Sequence, residues 1–219
     1  MQIPKRLQVI GDLIPEGAHV ADIGADHGLL ERYIATHLSD YYILAIENKR
    51  GPFEALFEAT RDLDNIEYSL SDGMRFVDEE YDTVVLAGMG GDNIVNILTQ
   101  FPDKLKSIKR IIVDAHSFIP KVRKTLIDFG FDIEVEKIVY EADVYYIIIS
   151  FIRNSEQRKY TEDELKFGYN LSKDPLFKDY KKYMLKKYKK VLKDMEDADC
   201  KNHKYEMILN DMRRFKSYE

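Results

Sequence analysis

Short apolar runs alternate with amphipathic stretches through the first two thirds of the chain. The runs have the length and composition of buried parallel strands, and the stretches between them carry apolar residues at helical spacing. A final pair of strands is separated by a turn so short that it allows only antiparallel pairing. The predicted strands are Val20–Ile23, Tyr42–Ile46, Ile66–Leu70, Thr83–Ala87, Ile111–Val113, Ile133–Tyr140 and Val144–Ile152.

The order of these elements is five strand–helix units followed by a hairpin, and a short amphipathic helix near Pro4 to Leu13 precedes them. Alternation of strands and helices indicates an α/β fold with a mostly parallel sheet. The hairpin at the end favours the seven-stranded sheet of a Rossmann-like methyltransferase over the six parallel strands of a dehydrogenase. The predicted first domain is residues 1–153.

The periodicity changes after Arg153. Thr161 and Glu164 have the spacing of a capping box. Apolar residues then recur every three or four positions in two stretches, separated by a polar turn near residues 198–202. Two helices with such apolar faces bury them against each other, so residues 154–219 are predicted to form a helical hairpin resembling a coiled coil.

Composition narrows the class of protein. The single cysteine, Cys200, excludes an internal disulfide framework and a cysteine-based metal cluster. No His, Cys and Asp set has metal-ligand spacing, so we expect no metal. The N-terminus lacks a signal-peptide core and no run is long enough to span a membrane, which favours a cytoplasmic protein with no membrane partner. No obligatory protein partner is evident.

A glycine turn follows the first predicted strand. Gly24 and Gly28 let backbone N–H groups approach a ligand at the start of the next helix. Asp22 and Asp26 lie in the same turn, where they would repel a pyrophosphate but suit a ligand with an amino group and a sulfonium charge. S-adenosyl-L-methionine carries both. The alternative is an ordinary strand–helix turn with a capping aspartate.

Polar side chains follow the next strands too. Glu47, about 20 residues beyond the glycine turn, is placed to accept hydrogen bonds from a ribose, with Asn48 beside it. Asp72 can accept from an adenine amino group. The alternatives are a solvated strand-end acid for Glu47 and a turn-forming residue before Gly73 for Asp72. Ligands of open α/β sheets bind at these carboxyl ends of the strands.

At this point four motifs resemble one family. They are Val20-Ala21-Asp22-Ile23-Gly24-Ala25-Asp26-His27-Gly28-Leu29-Leu30, Gly51-Pro52-Phe53 after Glu47-Asn48, Ser71-Asp72-Gly73, and Ala87-Gly88-Met89-Gly90-Gly91. Together they resemble the bacterial tRNA (adenine(22)-N(1))-methyltransferases. The similarity continues into the entry to the C-terminal helices, at Glu164, Phe167-Gly168 and Leu171.

This resemblance implies a class I enzyme that uses S-adenosyl-L-methionine to methylate N1 of an adenosine in the D-loop of tRNA, at position 22. It implies that the C-terminal helices help hold the RNA. The expected cofactor-binding residues are Asp22, Gly24, Ala25, His27, Gly28, Leu29, Glu47, Asn48, Ser71, Asp72, Gly73, Ala87 and Gly88.

Catalysis is expected to depend mostly on alignment, because adenine N1 is already nucleophilic and the sulfonium methyl is already activated. The candidate catalytic residues are Asp26 and the loop Gly88-Met89-Gly90-Gly91, whose backbone carbonyls can accept from the adenine amino group. Met89 can pack on the base. The alternatives are a helix cap for Asp26, a flexible turn for the loop and a packed side chain for His27.

Candidate substrate-binding residues come from two regions. After the fifth strand the family usually has Gln-Pro-Asn, whereas this chain has Asp114-Ala115-His116, and Arg123 in the next helix still matches. In the C-terminal part, Lys186 and Lys190 belong to a lysine-rich helix face interleaved with tyrosines, which suits phosphate binding. The alternative is a solvated helix face.

Charge is unevenly distributed. The chain has a net charge of −6, but residues 153–219 hold 18 Lys and Arg against 13 Asp and Glu. A basic tail behind an acidic front half favours RNA as the partner of the tail. Two other functions stay open: a methyltransferase for a small molecule or protein that dimerises through the hairpin, and a non-catalytic, cofactor-binding scaffold that binds RNA.

Overall fold

The structure, a computed structural model, describes residues 3–218. These residues divide into two compact units, with the division between Lys159 and Tyr160. Within the described range, no helix combines the length and the apolar character that crossing a membrane requires.

The first unit is an α/β sheet with helices on both faces. Its elements are α1 (Lys5–Asp12), β1 (Ala18–Ile23), α2 (Leu29–His37), β2 (Tyr41–Glu47), α3 (Arg50–Thr60), β3 (Ile66–Leu70), β4 (Thr83–Met89), α4 (Gly91–Gln100), β5 (Arg110–Ala115), α5 (Ile119–Asp128), β6 (Phe131–Glu141) and β7 (Val144–Arg153).

The seven strands have the order β3-β2-β1-β4-β5-β7-β6. Strands β1 to β5 are parallel, whereas β7 is antiparallel to both β5 and β6. This arrangement confirms the predicted fold class. The switch in strand order between β1 and β4 opens a crevice at the carboxyl ends of the strands, where open α/β sheets bind ligands.

Buried aliphatic residues explain why the centre of the sheet is parallel. The middle of β1, β2, β4 and β5 is buried on both faces, as Val20, Ile43, Val85 and Ile112 illustrate with exposures of 0%. Strands covered by helices on both sides need continuous apolar runs, and these four have them. The edge strand β3 is more exposed and more polar.

The second unit is helical. It contains α6 (Glu162–Phe167), α7 (Phe177–Asp197) and α8 (His203–Ser217). The predicted capping box is present at Thr161, which accepts from the backbone N–H of Glu164 while the Glu164 side chain accepts from Thr161. Phe215 packs near Tyr180, and Tyr205 donates to Glu196. The two long helices therefore pair antiparallel, as the apolar spacing predicted.

Candidate active site

A cavity of about 420 Å³ opens at the carboxyl ends of β1, β2, β3 and β4. Its volume is within the range of small-molecule and cofactor sites. The wall also includes residues of α1, α2 and α4, so that three helices and four strand ends surround one space. The topology therefore brings the predicted glycine turn and the predicted strand-end acids together.

The turn between β1 and α2 is fixed by hydrogen bonds to β2. The N–H groups of Gly24 and Ala25 both donate to the carbonyl of Ile46, and the N–H of Asp26 donates to Oε1 of Glu47 at 2.8 Å. Asp26 has a left-handed φ of 50°, a conformation that this bonding holds in place. The Asp26 side chain is left 64% exposed at the cavity, beside His27.

Two glycines in this turn lie where a side chain would collide with a neighbouring residue. Gly24 has a φ of 85°, and a Cβ there would lie 3.1 Å from Cε of Met89. Gly28 has a φ of 70°, and a Cβ there would lie 2.4 Å from Cγ2 of Thr60. The lack of a side chain at Gly24 keeps the cavity open, and the lack of one at Gly28 lets α2 pack close to α3. Both therefore fit the cofactor-binding turn that the sequence predicts.

Three acids meet below this turn. Asp22, Glu31 and Glu47 are all buried, and Glu31 has no exposed surface. Burial raises the pKa of Asp22 to about 6, a hydrogen bond with Glu31 opposes this shift, and the charge of Glu47 adds to it. Burial and the charge of Asp22 raise the pKa of Glu31 well above its usual value. Two buried carboxylates side by side repel each other, so one of the pair is protonated.

Glu31 is the member of the pair that keeps the proton. Neither of its oxygens accepts a hydrogen bond of good geometry within the described residues, so nothing stabilises a negative charge there. Asp22 lines the cavity, whereas Glu31 lies behind it. The cavity floor therefore presents one carboxyl group, Asp22, supported from behind by a neutral acid.

The far side of the cavity is built around Glu47. Glu47 is 8% exposed, and its carboxylate accepts from the N–H groups of Asp26 and Asn48. The N–H of Ser71 donates to the Glu47 carbonyl, and the Asn48 side chain lies 3.5 Å from a carboxylate oxygen of Asp72. The ends of β2 and β3 thus hold an acid, an amide and a second acid together, a set that can bind ribose hydroxyls and an adenine amino group.

The segment Gly88–Gly91 is more ordered than a flexible loop. Strand β4 continues through Met89 after a shift in register at residues 87–89, and α4 begins at Gly91. The carbonyl of Met89 accepts from His116, and that of Gly90 accepts from Asn93 and Ile94. The alternative of a flexible turn does not fit this hydrogen bonding, and two of the segment's carbonyls already have protein donors.

Most of the predicted cofactor residues line the cavity. Those that do are Asp22, Gly24, Ala25, His27, Leu29, Glu47, Asn48, Ser71, Asp72, Gly73, Ala87 and Gly88, together with the catalytic candidates Asp26 and Met89. Gly28 supports the turn from behind, and Gly90 and Gly91 form the start of α4. Asp92, in the first turn of α4, forms an ion pair with Lys121.

Asp114 is placed behind the cavity wall. Its side chain has no exposed surface, Oδ2 lies 3.1 Å from Nη1 of Arg6, and Oδ1 has no hydrogen-bond partner within residues 3–218. His116 Nε2 lies 3.8 Å from the same Oδ2, and the His116 ring meets Tyr146 edge-on. Arg6 itself lines the cavity. Asp114 therefore positions Arg6 and is too deeply buried to touch a substrate directly.

Arg123 does not fit the predicted role in substrate binding. Its side chain is 3% exposed and forms an ion pair with Glu136 at 2.7 Å, joining α5 to β6. A guanidinium buried in such a pair has no surface for RNA. The matching position that motivated the prediction is explained by this structural pair. Lys186 and Lys190 lie in the second unit, where both are exposed on α7.

Sequence reasoning missed the contribution of α1 and α4. Arg6 and Leu7 of α1, and Asn93 and Ile97 of α4, all line the cavity. No local motif marks them, because their position depends on where these helices pack. Glu31 was missed because a glutamate one turn into an amphipathic helix is usually solvated.

Comparison with known proteins agrees with this geometry. Residues 3–149 match a family model described as "Methyltransferase domain". A tRNA (adenine(22)-N(1))-methyltransferase of Bacillus subtilis is 30% identical over 150 residues, a match that covers 65% of this chain and 61% of that protein's length.

Two solved structures match nearly the whole chain. A protein of the NADB-Rossmann superfamily from Streptococcus agalactiae has a TM-score of 0.88 and 26% identity, covering 99% of this chain and 96% of that one. A candidate tRNA (m1A22) methyltransferase from Streptococcus pneumoniae, solved in complex with S-adenosyl-L-methionine, has a TM-score of 0.84 and 26% identity, with 98% of both chains covered. The matches confirm the resemblance inferred from the motifs.

Proposed function

The chain belongs to the methyltransferase-domain family, and from that premise we propose that it uses S-adenosyl-L-methionine to methylate N1 of an adenosine in tRNA, at position 22 of the D-loop. The observation that carries the proposal is a cavity lined by Asp22, Glu47 and Asp72, in a chain that is similar to a tRNA (adenine(22)-N(1))-methyltransferase. A tRNA substrate places the proposed reaction in the cytoplasm.

The residues of the cavity fit each part of the proposed cofactor. Glu47 would accept from the ribose hydroxyls, Asp72 from the adenine amino group and Asp22 from the ammonium group of the methionine portion. Gly24 leaves the space that the ligand needs beside Met89. When bound, S-adenosyl-L-methionine supplies a methyl group that is already activated by its sulfonium charge.

The protein would then contribute orientation and charge stabilisation. Adenine N1 attacks with a lone pair in the ring plane, so the base must be held with that edge toward the donor. The ring gains positive charge as the new bond forms, and a nearby carboxylate stabilises it. We propose Asp26 for this role because its side chain is exposed at the cavity, whereas the carbonyls of Met89 and Gly90 already accept protein hydrogen bonds.

We propose that the C-terminal part of the chain, predicted as residues 154–219, holds the RNA. Nine lysines and two aspartates lie between Lys173 and Lys193. Lys186 and Lys190 are exposed on α7, and no ion pair of either is seen within the described part of the chain. Free ammonium groups on one helix suit phosphate contacts, whose strength falls steeply with salt.

The direct test is incubation of the purified protein with isotopically labelled S-adenosyl-L-methionine and unmodified tRNA transcripts, followed by mapping of the methylated nucleoside. We expect 1-methyladenosine at position 22, and no product with a transcript carrying guanosine there. Product at another tRNA position would keep the reaction class and reject the target. Cofactor binding without transfer to any tRNA would reject the enzyme and favour a non-catalytic scaffold.

The role of α7 has its own test. Lys186→Glu with Lys190→Glu should weaken tRNA binding by at least tenfold at low salt and leave the affinity for S-adenosyl-homocysteine unchanged. The matched control is Lys106→Glu with Lys109→Glu, an equal charge change just before the amino end of β5, whereas the cavity lies at the carboxyl ends of the parallel strands. Equal tRNA affinity in both double variants would instead favour a hairpin used for dimerisation, which sedimentation would detect.

A further inference from the structure

Phe118 is an exposed aromatic residue in a conformation that L-residues rarely adopt. Its side chain is 61% exposed, the highest value among the large hydrophobic residues that are exposed in the described chain. Its backbone has a φ of 50° and a ψ of 32°, in the left-handed region. A bulky residue in this region is unusual, and such outliers concentrate at functional sites.

Neighbouring hydrogen bonds hold this conformation. The Phe118 carbonyl accepts from the N–H groups of Lys121 and Val122 at the start of α5. The N–H of Gly91 donates to the carbonyl of Ser117 at 3.1 Å. A Cβ on Gly91 would lie 2.2 Å from that same carbonyl oxygen, so the two chain segments are in close contact. The ring of Phe118 is therefore presented to solvent by a backbone that is fixed on both sides.

The position of this ring relates it to the cavity. The N–H of His116 donates to the carbonyl of Met89, which lines the cavity, and the segment Gly90–Gly91 links Met89 to the contact with Ser117. Phe118 is thus two residues beyond His116, which bonds directly to the cavity wall, and it immediately precedes α5. It lies on the side of the cavity that carries the candidate catalytic segment.

We propose that Phe118 is a stacking platform for an unpaired base of the RNA substrate, next to the nucleotide that enters the cavity. The inference rests on the proposed function. An enzyme that modifies a base edge in a folded RNA must take that base out of its stack, which leaves neighbouring bases without a partner. An exposed aromatic ring replaces the lost stacking for any base, because each base has a π-face. The left-handed backbone keeps the ring directed outward.

The chain contains no tryptophan, so a single introduced tryptophan can report on the proposed contact by its fluorescence. Phe118→Trp introduces a single indole at the proposed contact, and we expect its fluorescence to be quenched when tRNA is added. The matched control is Phe57→Trp, at a phenylalanine that is 43% exposed on α3 and packs on Tyr68. The control should show no quenching. Equal responses of the two indoles would overturn the proposal.

A second measurement tests the energetic role. Phe118→Ala should weaken tRNA affinity by roughly 5- to 150-fold, the range expected for loss of one stacked base. Phe118→Trp should restore it, and affinity for S-adenosyl-homocysteine and the melting temperature should be unchanged in both. Full tRNA affinity in Phe118→Ala, with wild-type methylation of tRNA, would overturn the stacking role alone. A wild-type protein that neither binds nor methylates tRNA would overturn both this inference and the proposed function.

Discussion

Asp22 and Glu31 are two buried acids whose interaction raises the pKa of Glu31, and of the two only Asp22 lines the cavity. The protonation states of the two acids are linked, because the proton on Glu31 allows Asp22 to stay ionised near neutral pH. Asp22 is then free to accept from a cationic ligand. This relationship leads to two predictions with opposite dependence on pH.

Cofactor binding should weaken in mild acid. The pKa of Asp22 in the folded protein is about 6, because burial disfavours its charged form. Below that pH the carboxyl gains a proton and no longer attracts an ammonium group. We expect the affinity for S-adenosyl-homocysteine, measured calorimetrically, to fall by about tenfold per pH unit below pH 6. An affinity that is constant between pH 7 and pH 5 would contradict a contact between Asp22 and the ligand.

Folding stability should instead fall as pH rises, and Glu31→Gln should remove part of this pH dependence. In the unfolded chain Glu31 loses its proton above its ordinary pKa, whereas in the folded protein it keeps the proton because its pKa is raised. The folded state then binds more protons, so stability falls as pH rises from about 4.5 toward the raised value. Glutamine donates to Asp22 without this dependence.

The melting temperature of Glu31→Gln should therefore exceed that of the wild type at pH 8, and the difference should shrink toward pH 5. One pKa unit corresponds to about 1.4 kcal/mol, so a rise of several degrees at pH 8 is expected. Glu31→Leu, which cannot donate to Asp22, is the control for simple removal of the acid. A difference between wild type and Glu31→Gln that does not change with pH would contradict a protonated Glu31.

Glu47 should be the acid with the largest effect on cofactor affinity. Its carboxylate is held by the N–H groups of Asp26 and Asn48, so it is already oriented before a ligand arrives. Hydrogen bonds to a charged group contribute about 1.5–3 kcal/mol, so Glu47→Gln should weaken binding of S-adenosyl-homocysteine by roughly 10- to 150-fold. The matched control is Glu54→Gln, on the exposed surface of α3, which should bind normally.

The sheet could be predicted from the sequence because its signals are local. Each buried strand is a short apolar run, and the hairpin turn between β6 and β7 permits one pairing only. The strand-end acids Glu47 and Asp72 were identifiable for the same reason: topology brings the ends of parallel strands together.

The rest of the site depends on tertiary packing. Arg6 reaches the cavity because α1 lies near the β6–β7 end of the sheet and Asp114 holds its guanidinium. Arg123 carries the same charge in the same kind of amphipathic helix, yet it is buried against Glu136. Nothing in the local sequence separates the two arginines. Glu31 is a third case, since its burial depends on how α2 packs on β1 and β2.

The pair Arg6–Asp114 should be a coupled unit in stability. Removing one partner of a buried pair leaves an uncompensated charge, which typically costs about 3–5 kcal/mol. Asp114 is fully buried, so Arg6→Leu should be strongly destabilising in urea denaturation, while Arg6→Leu with Asp114→Asn should recover part of the loss. The double-mutant cycle measures the coupling directly. Additive effects of the two substitutions would contradict this account of Asp114.

Two glycines in similar sequence settings should respond in opposite directions to alanine. Gly28 has a left-handed φ of 70°, and a Cβ there would lie 2.4 Å from Thr60. Strain of about 1–2 kcal/mol for the conformation and 1–3 kcal/mol for overpacking together predict that Gly28→Ala destabilises the fold by roughly 2–5 kcal/mol.

Gly51, near the start of α3, has no atom within 4 Å of the position that a Cβ would occupy. Alanine there gains helix propensity, so Gly51→Ala should stabilise by up to about 1 kcal/mol. Thermal melts of both variants measure these changes in stability.

Cofactor affinity separates an effect on the turn from a general loss of stability. Gly28→Ala should lose binding of S-adenosyl-homocysteine even well below its melting temperature, because the misplaced α2 start also displaces the hydrogen bonds of Gly24 and Asp26. Normal binding by a folded Gly28→Ala protein would show that the turn tolerates movement of α2.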